Sequence, residues 1–224
     1  KGTRTLTVIH YSYVEPRIAG ELLRAAAIME ISVRPGVEFR ARYRDGFVKL
    51  IWIPRGFTDT DEFLAFLDKP DVKEFMELGR AASAFQQRYV MEVLERYNVV
   101  HRGTLNATHG LDLEPISPEE LISAVGEGQA SLFHLARLIH SQTQEGLARR
   151  AQELMEDETS PRAASKAALR ATLDSMNALT PEVIIDTWLA PVRNPELRDP
   201  DLPCDEAHCP LLTRMDVKTL LDRL

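Results

Sequence analysis

An α/β fold with a large helical part is predicted by three features of this chain. Residues 5–9 form a short apolar run ending in His10, and a second β-rich run opens at Ser32. Between them Ile18, Leu22, Ala25, Ala26 and Met29 recur at helical spacing, which marks one helix over roughly residues 15–30. A strand–helix–strand unit normally sets its two strands parallel and adjacent. Third, Arg44-Asp45-Gly46 separates two more β-rich runs, and Asp-Gly in that setting signals a hairpin.

The elements come in order. Strand 5–9 and the helix lead to strand 32–33, then to 37–43 and 47–53 across the hairpin turn. From Thr58 the spacing becomes helical. Thr60 or Asp61 caps a short helix bearing Phe63, Leu64 and Leu67, which stops at Lys69-Pro70. A long helix over 72–97 carries Phe75, Leu78, Ala82, Phe85, Tyr89 and Val93 three and four apart. That stripe reads as core rather than as a cofactor box. Residues 99–115 read as a loop holding His101, Asn106 and His109. Ser117-Pro118-Glu119-Glu120 starts a helix with Pro at the first helical position. Further helices are expected over 130–140, extending toward Met155, over 163–176 after a Ser160-Pro161-Arg162 cap, and from Thr180-Pro181-Glu182 to Leu189. Residues 190–210 are rich in Pro and Asp and read as irregular; a last helix spans 216–224. The domain organisation that results is an α/β core over 1–58, a helical insertion or cap over 59–200, and a loop with a terminal helix over 201–224.

Composition bounds the function. The chain has 224 residues, 44% hydrophobic and 27% charged, ordinary values for one globular core with an appendage. A net charge of -7 argues against a dedicated nucleic-acid surface, which carries a basic stripe. There is no signal-peptide pattern and no apolar run near the length of a membrane span, so a soluble cytoplasmic protein with no membrane association is expected. Cys204, His208 and Cys209 stand close together, and thiolates with an imidazole would favour zinc. A structural zinc takes four ligands and no second pair lies nearby, so two reduced thiols are the expectation, a disulfide being unusual in a cytosolic chain.

The α/β segment resembles the PHP (polymerase and histidinol phosphatase) phosphoesterases. Thr7-Val8-Ile9-His10 matches the family's strand ending in Thr-Asp-His, and Arg34-Pro35-Gly36-Val37-Glu38-Phe39 matches its Pro-Gly-Val-Glu strand. Gly128-Gln129-Ala130-Ser131-Leu132-Phe133-His134 is similar to the family's Gly-Arg-Pro-His helix start. The likeness covers roughly residues 3–140. The family's first His-x-His strand and its later Ala-His-Pro strand have no counterpart, which implies the central part of a longer protein or a broken site.

The resemblance implies a partial PHP-type barrel, a distorted (β/α) barrel, with the helical segment as insertion or cap. It further implies a metal-dependent phosphoesterase, of phosphatase or nuclease type, acting on nucleotide or nucleic-acid phosphate, with a weakened or incomplete site. Divalent ions (Mn, Zn or Mg) would be its cofactors, held by His10 and Glu38; an imidazole and a carboxylate suit first-row metals. His134, and Lys49 near a family histidine position, would contact substrate. Three departures weaken that site: Ile9 for an acidic residue, Lys49 for an imidazole, and Leu132 for a phosphate-clamping arginine. Lys49 has two readings, a cation facing Glu38 or a solvent-facing hairpin residue with Val48, Leu50 and Trp52 as the core face. A catalytically inactive module with a structural or regulatory role among other domains or subunits is the second functional expectation.

Overall fold

The computed structural model describes residues 5–126, 128–156 and 162–223. The chain divides into two compact units, Lys1–Phe85 with Pro200–Leu224, and Gln86–Asp199.

The first unit is built on the expected strand–helix–strand start. Strand β1 (Thr5–Tyr11), helix α1 (Pro16–Ile28) and strand β2 (Ser32–Tyr43) form a parallel pair in register from Thr5 opposite Ser32 to Tyr11 opposite Glu38. Pro16 suits the first turn of α1, where its missing N–H costs no helical hydrogen bond and its fixed φ is already helical. The two short runs at 32–33 and 37–43 are one continuous strand, because Pro35 and Gly36 keep the extended conformation that pairing with β1 requires. Arg44, at φ 55°, turns the chain into strand β3 (Gly46–Trp52), antiparallel to β2 from Tyr43 opposite Gly46 to Val37 opposite Trp52.

The sheet has three strands in the order β1-β2-β3, and among the described residues no strand pairs the outer edge of β1. The barrel expectation is therefore corrected. A (β/α) barrel grows by repeating parallel crossovers, and here the second strand turns back at once in a hairpin. After Trp52 the described chain forms helices and no further strand, so the sheet stays open and mixed, and most of the described chain is helix.

One face of β2 is dry. Val37, Phe39 and Ala41 point into a core with Phe63 and Leu67 of helix α2 (Thr60–Leu67) and Phe75 of helix α3 (Pro70–Arg96). Asp59 caps α2 by accepting from the Glu62 N–H at 2.9 Å. Phe39 and Trp52 each meet the Phe75 ring edge-on, with centroids 5.2 and 5.5 Å apart. The end of the chain completes this core: Leu212 of helix α9 (Leu211–Arg214), Met215, and Leu220 of helix α10 (Val217–Leu221), the last capped by Asp216, are all buried in it. The Arg42 N–H donates to the Met215 carbonyl at 2.9 Å, taking up β2 beyond the end of β1.

The second unit is helical. From Gln86 onward α3 runs on through a π turn (Tyr97–His101) into helix α4 (Arg102–His109), which the sequence presents as loop. Two links fix this stretch: the Asn98 amide bonds both backbone groups of Ile116, and Arg102 donates to the Leu113 carbonyl at 2.6 Å. Helix α5 (Pro118–Val125) begins at a complete capping box between Ser117 and Glu120. Helices α6 (Leu132–Glu156), α7 (Arg162–Ala178) and α8 (Pro181–Ile184) come next, α8 continuing as a π turn (Ile185–Leu189). The expected caps Ser160 and Pro161 lie outside the described residues. Val93, Leu94, Leu105, Leu135, Ile139 and Trp188 are among the buried core residues of this unit.

Candidate functional site

Parity along the strands decides where the four sequence-predicted site residues go. His10 stands opposite Val37 and Tyr11 opposite Glu38. Neighbouring residues of a strand point to opposite faces, and cross-strand partners share a face. Since Val37 is buried in the core, His10 lies on the core face and Glu38 on the other. Gly36 agrees with this assignment: a Cβ there would meet the Ile9 side chain at 2.9 Å, on the Glu38 face.

His10 is half-buried, and its Nε2 is enclosed with no hydrogen-bond partner among the described residues. Burial alone pushes its pKa below 6.5, because an imidazolium cannot be hydrated there. Glu38, on the opposite face, takes the Lys49 ammonium at 3.1 Å, with the carboxylate side chain 19% exposed and the lysine 61%. Both readings of Lys49 are thus partly met. It faces Glu38, and it does so from the solvent side, while Val48, Leu50 and Trp52 pack on the core. Two more pairs continue along β2 on the Glu38 face: Arg40 with Asp201, and Arg42 with Asp205. His134 belongs to the helical unit, in the first turn of α6, where its Nδ1 lies 2.8 Å from the Ser131 Oγ.

The structure therefore brings Lys49 to Glu38 on one face of the sheet and puts His10 on the other, while His134 belongs to the helical unit. A divalent ion needs several donors converging on one point. His10 and Glu38 diverge across the sheet, and the described residues hold no group of three or more His, Cys, Asp and Glu side chains able to hold a metal. These residues do not fit the metal that the resemblance implies. The cysteines also depart from expectation. Cys204 and Cys209 form a disulfide, both nearly fully buried, so neither is a free thiol or a thiolate ligand. His208 sits 2.7 Å from the Glu206 carboxylate.

Sequence reasoning passed over a cleft in the sheet unit, with a volume of about 430 Å³. Leu23 and Ala26 of α1, Val33 and Pro35 of β2, and Phe57 and Phe63 give it apolar surface, and Arg34 and Arg55 also line it. The available signal was the repetition of Arg beside Pro and Gly, in Arg34-Pro35-Gly36 and Pro54-Arg55-Gly56. No protein-family model, curated protein or solved structure matches this chain.

Proposed function

We propose that this chain is a non-catalytic module that binds rather than transforms its ligands, with a structural or regulatory role beside other domains or subunits. One observation carries the reading: the Glu38 carboxylate is matched by the Lys49 ammonium at 3.1 Å on the sheet face turned away from His10. In a metal-dependent phosphoesterase the carboxylate and imidazole would converge to polarise a phosphate and activate water. Here the carboxylate's neighbour is a cation that cannot ligate. The Arg40–Asp201 and Arg42–Asp205 pairs extend the same pattern, in which charge is neutralised side chain against side chain. Ion pairing of this kind favours rigidity over turnover, since each of these charged groups already faces an opposite charge.

The test is turnover of p-nitrophenyl phosphate and bis(p-nitrophenyl) phosphate by the purified chain with Mn²⁺, Zn²⁺ or Mg²⁺ in turn. The expected rate equals that of the metal-containing buffer. Metal-dependent hydrolysis that disappears in Glu38→Ala would overturn the proposal.

A further inference from the structure

We propose that the cleft between α1, the start of β2 and the loop after β3 binds a neutral, flat, apolar molecule with a hydrogen-bond donor beside an acceptor, recognised by the backbone N–H and C=O of Val33. The cleft lies on the helix-covered side of the sheet, away from the Glu38–Lys49 pair, so binding there is independent of any turnover.

The cleft opens where the sheet splits. On the β1 side the Glu38 carbonyl accepts from the Ser12 N–H at 2.7 Å. Backbone groups alternate in direction along a strand, so even-numbered residues of β2 address β1, while Val33, Pro35 and Val37 address the β3 side. Pairing with β3 ends at Val37 opposite Trp52. In the same register the next hydrogen-bonded pair would be Pro35 with Pro54, and neither has an N–H to give. Beyond it Arg34 would stand opposite Arg55, like charge against like. The chain therefore leaves β2 after Trp52, and residues 32–35 and 54–60 become opposite walls of the cleft.

Val33 is left with a donor and an acceptor side by side. Among the described residues neither has a hydrogen-bond partner on this side. Val33 is only partly exposed, and a backbone group unpaired away from water costs about as much as a lost hydrogen bond. A lactam edge, with N–H next to C=O, complements such a pair. Leu23, Ala26, Phe57 and Phe63 supply apolar surface, the two rings meeting edge-on with centroids 5.1 Å apart. The volume of about 430 Å³ lies within the range of about 300–1,000 Å³ typical of small-molecule sites.

Charge favours a neutral ligand. Strand parity puts the Arg34 side chain on the Glu38 face, away from this apolar wall. The Asp59 carboxylate, which lines the cleft, disfavours an anion, and it already accepts from the Glu62 N–H at 2.9 Å. A peptide strand is the poorer occupant. β3 holds this edge from Val37 onward and Pro35 lacks an N–H, so an added strand would find one complete backbone pair, at Val33.

Titration of the whole chain with 2-quinolinone, a neutral fluorescent lactam, tests the site, with backbone amide shifts read by NMR. Saturable binding is expected, with a downfield shift of the Val33 amide and a smaller one at Arg34, whose N–H addresses β1. N-methyl-2-quinolinone, which lacks the donor, should bind about tenfold more weakly or worse. Val33→Pro removes the N–H on the cleft side and takes no bond from the β1 ladder, so it should weaken 2-quinolinone by a similar factor. Should that variant fail to fold, the N-methyl comparison and the Val33 shift decide in the native chain. The proposal fails if 2-quinolinone does not saturate, if its N-methyl form binds as tightly, or if the Val33 amide stays in place at saturation. Tighter binding of 2-naphthoate than of the lactam would overturn it in favour of a charged site. Tighter binding of the blocked peptide acetyl-Val-Ile-Val-amide would overturn it in favour of strand addition.

Discussion

At His10 the environment sets the charge. The imidazole is desolvated and its Nε2 unpaired, so in the folded chain it holds its proton more weakly than the usual 6.5. Between the native pKa and about 6.5 the unfolded chain binds more protons than the folded one. Stability from this residue is thus fully present above that window and is lost as pH falls through it. The urea midpoint should accordingly drop between pH 7.5 and pH 5.5, and His10→Leu should flatten the dependence. His109, whose pKa burial also lowers, keeps its own share in that variant. An unchanged slope in His10→Leu would show that the imidazole titrates alike in both states. A histidine at a strand end was legible in the sequence. Its face was not, since a shift of one residue in register exchanges the two faces and register is fixed only by pairing.

Helix α3 shows how an element can be legible while its anchor is hidden. The stripe of Phe75, Leu78 and Ala82 marks a helix and its buried side. Gly79 lies on that helix, and a Cβ there would stand 2.0 Å from the Ser12 carbonyl oxygen. Ser12 itself is held at φ 66°, a left-handed conformation costly for a residue with a side chain. Gly79→Ala gains about 1 kcal/mol of helix propensity and loses more, since overpacking against backbone costs about 1–3 kcal/mol and at the closest contacts beyond that. We expect a net destabilisation of about 2 kcal/mol in urea titration, the overpacking cost outweighing the propensity gain. A variant as stable as the native chain would mean that the Ser12 turn yields freely. The opposite failure of legibility is α4. Val99, Val100, Gly103, Thr104 and Thr108 are poor helix formers, and the segment reads as loop by propensity alone. Leu105, fully buried, and the Asn98 and Arg102 contacts to residues 113–116 supply the tertiary energy that propensity lacks.

Over the whole molecule, the local strand–helix–strand unit and the hairpin could be read from spacing, but closure could not. Whether a sheet becomes a barrel depends on later strands, and after Trp52 there is none among the described residues. The disulfide was equally hidden, because the compartment argument concerns the chain's surroundings and the pairing concerns its fold. Cys204 and Cys209 close a short loop carrying Asp205, with Asp201 just before it, the partners of Arg42 and Arg40. Cross-linking so short a loop is worth about 2 kcal/mol in the chain-entropy account. Adding dithiothreitol should therefore speed hydrogen exchange at the Arg42 amide, bonded to Met215, and leave the amides of Leu135 and Ile139 in α6 unchanged. Equal acceleration in both units would show that the cross-link acts on the chain as a whole.

That no strand among the described residues pairs the outer edge of β1 has a consequence for how the molecule behaves when crowded with its own kind. From Thr5 to Tyr11 the strand offers an unbroken β-forming run without Pro, Gly, Lys or Asp, and His10 is neutral by desolvation. None of the usual guards against edge-to-edge growth is built into it: no inward charge, no bulge, no proline. An edge of this kind is a template on which a second folded molecule would pair without unfolding first. Fibre formation in this protein would then begin from the native state, and its rate would track concentration more closely than it tracks stability.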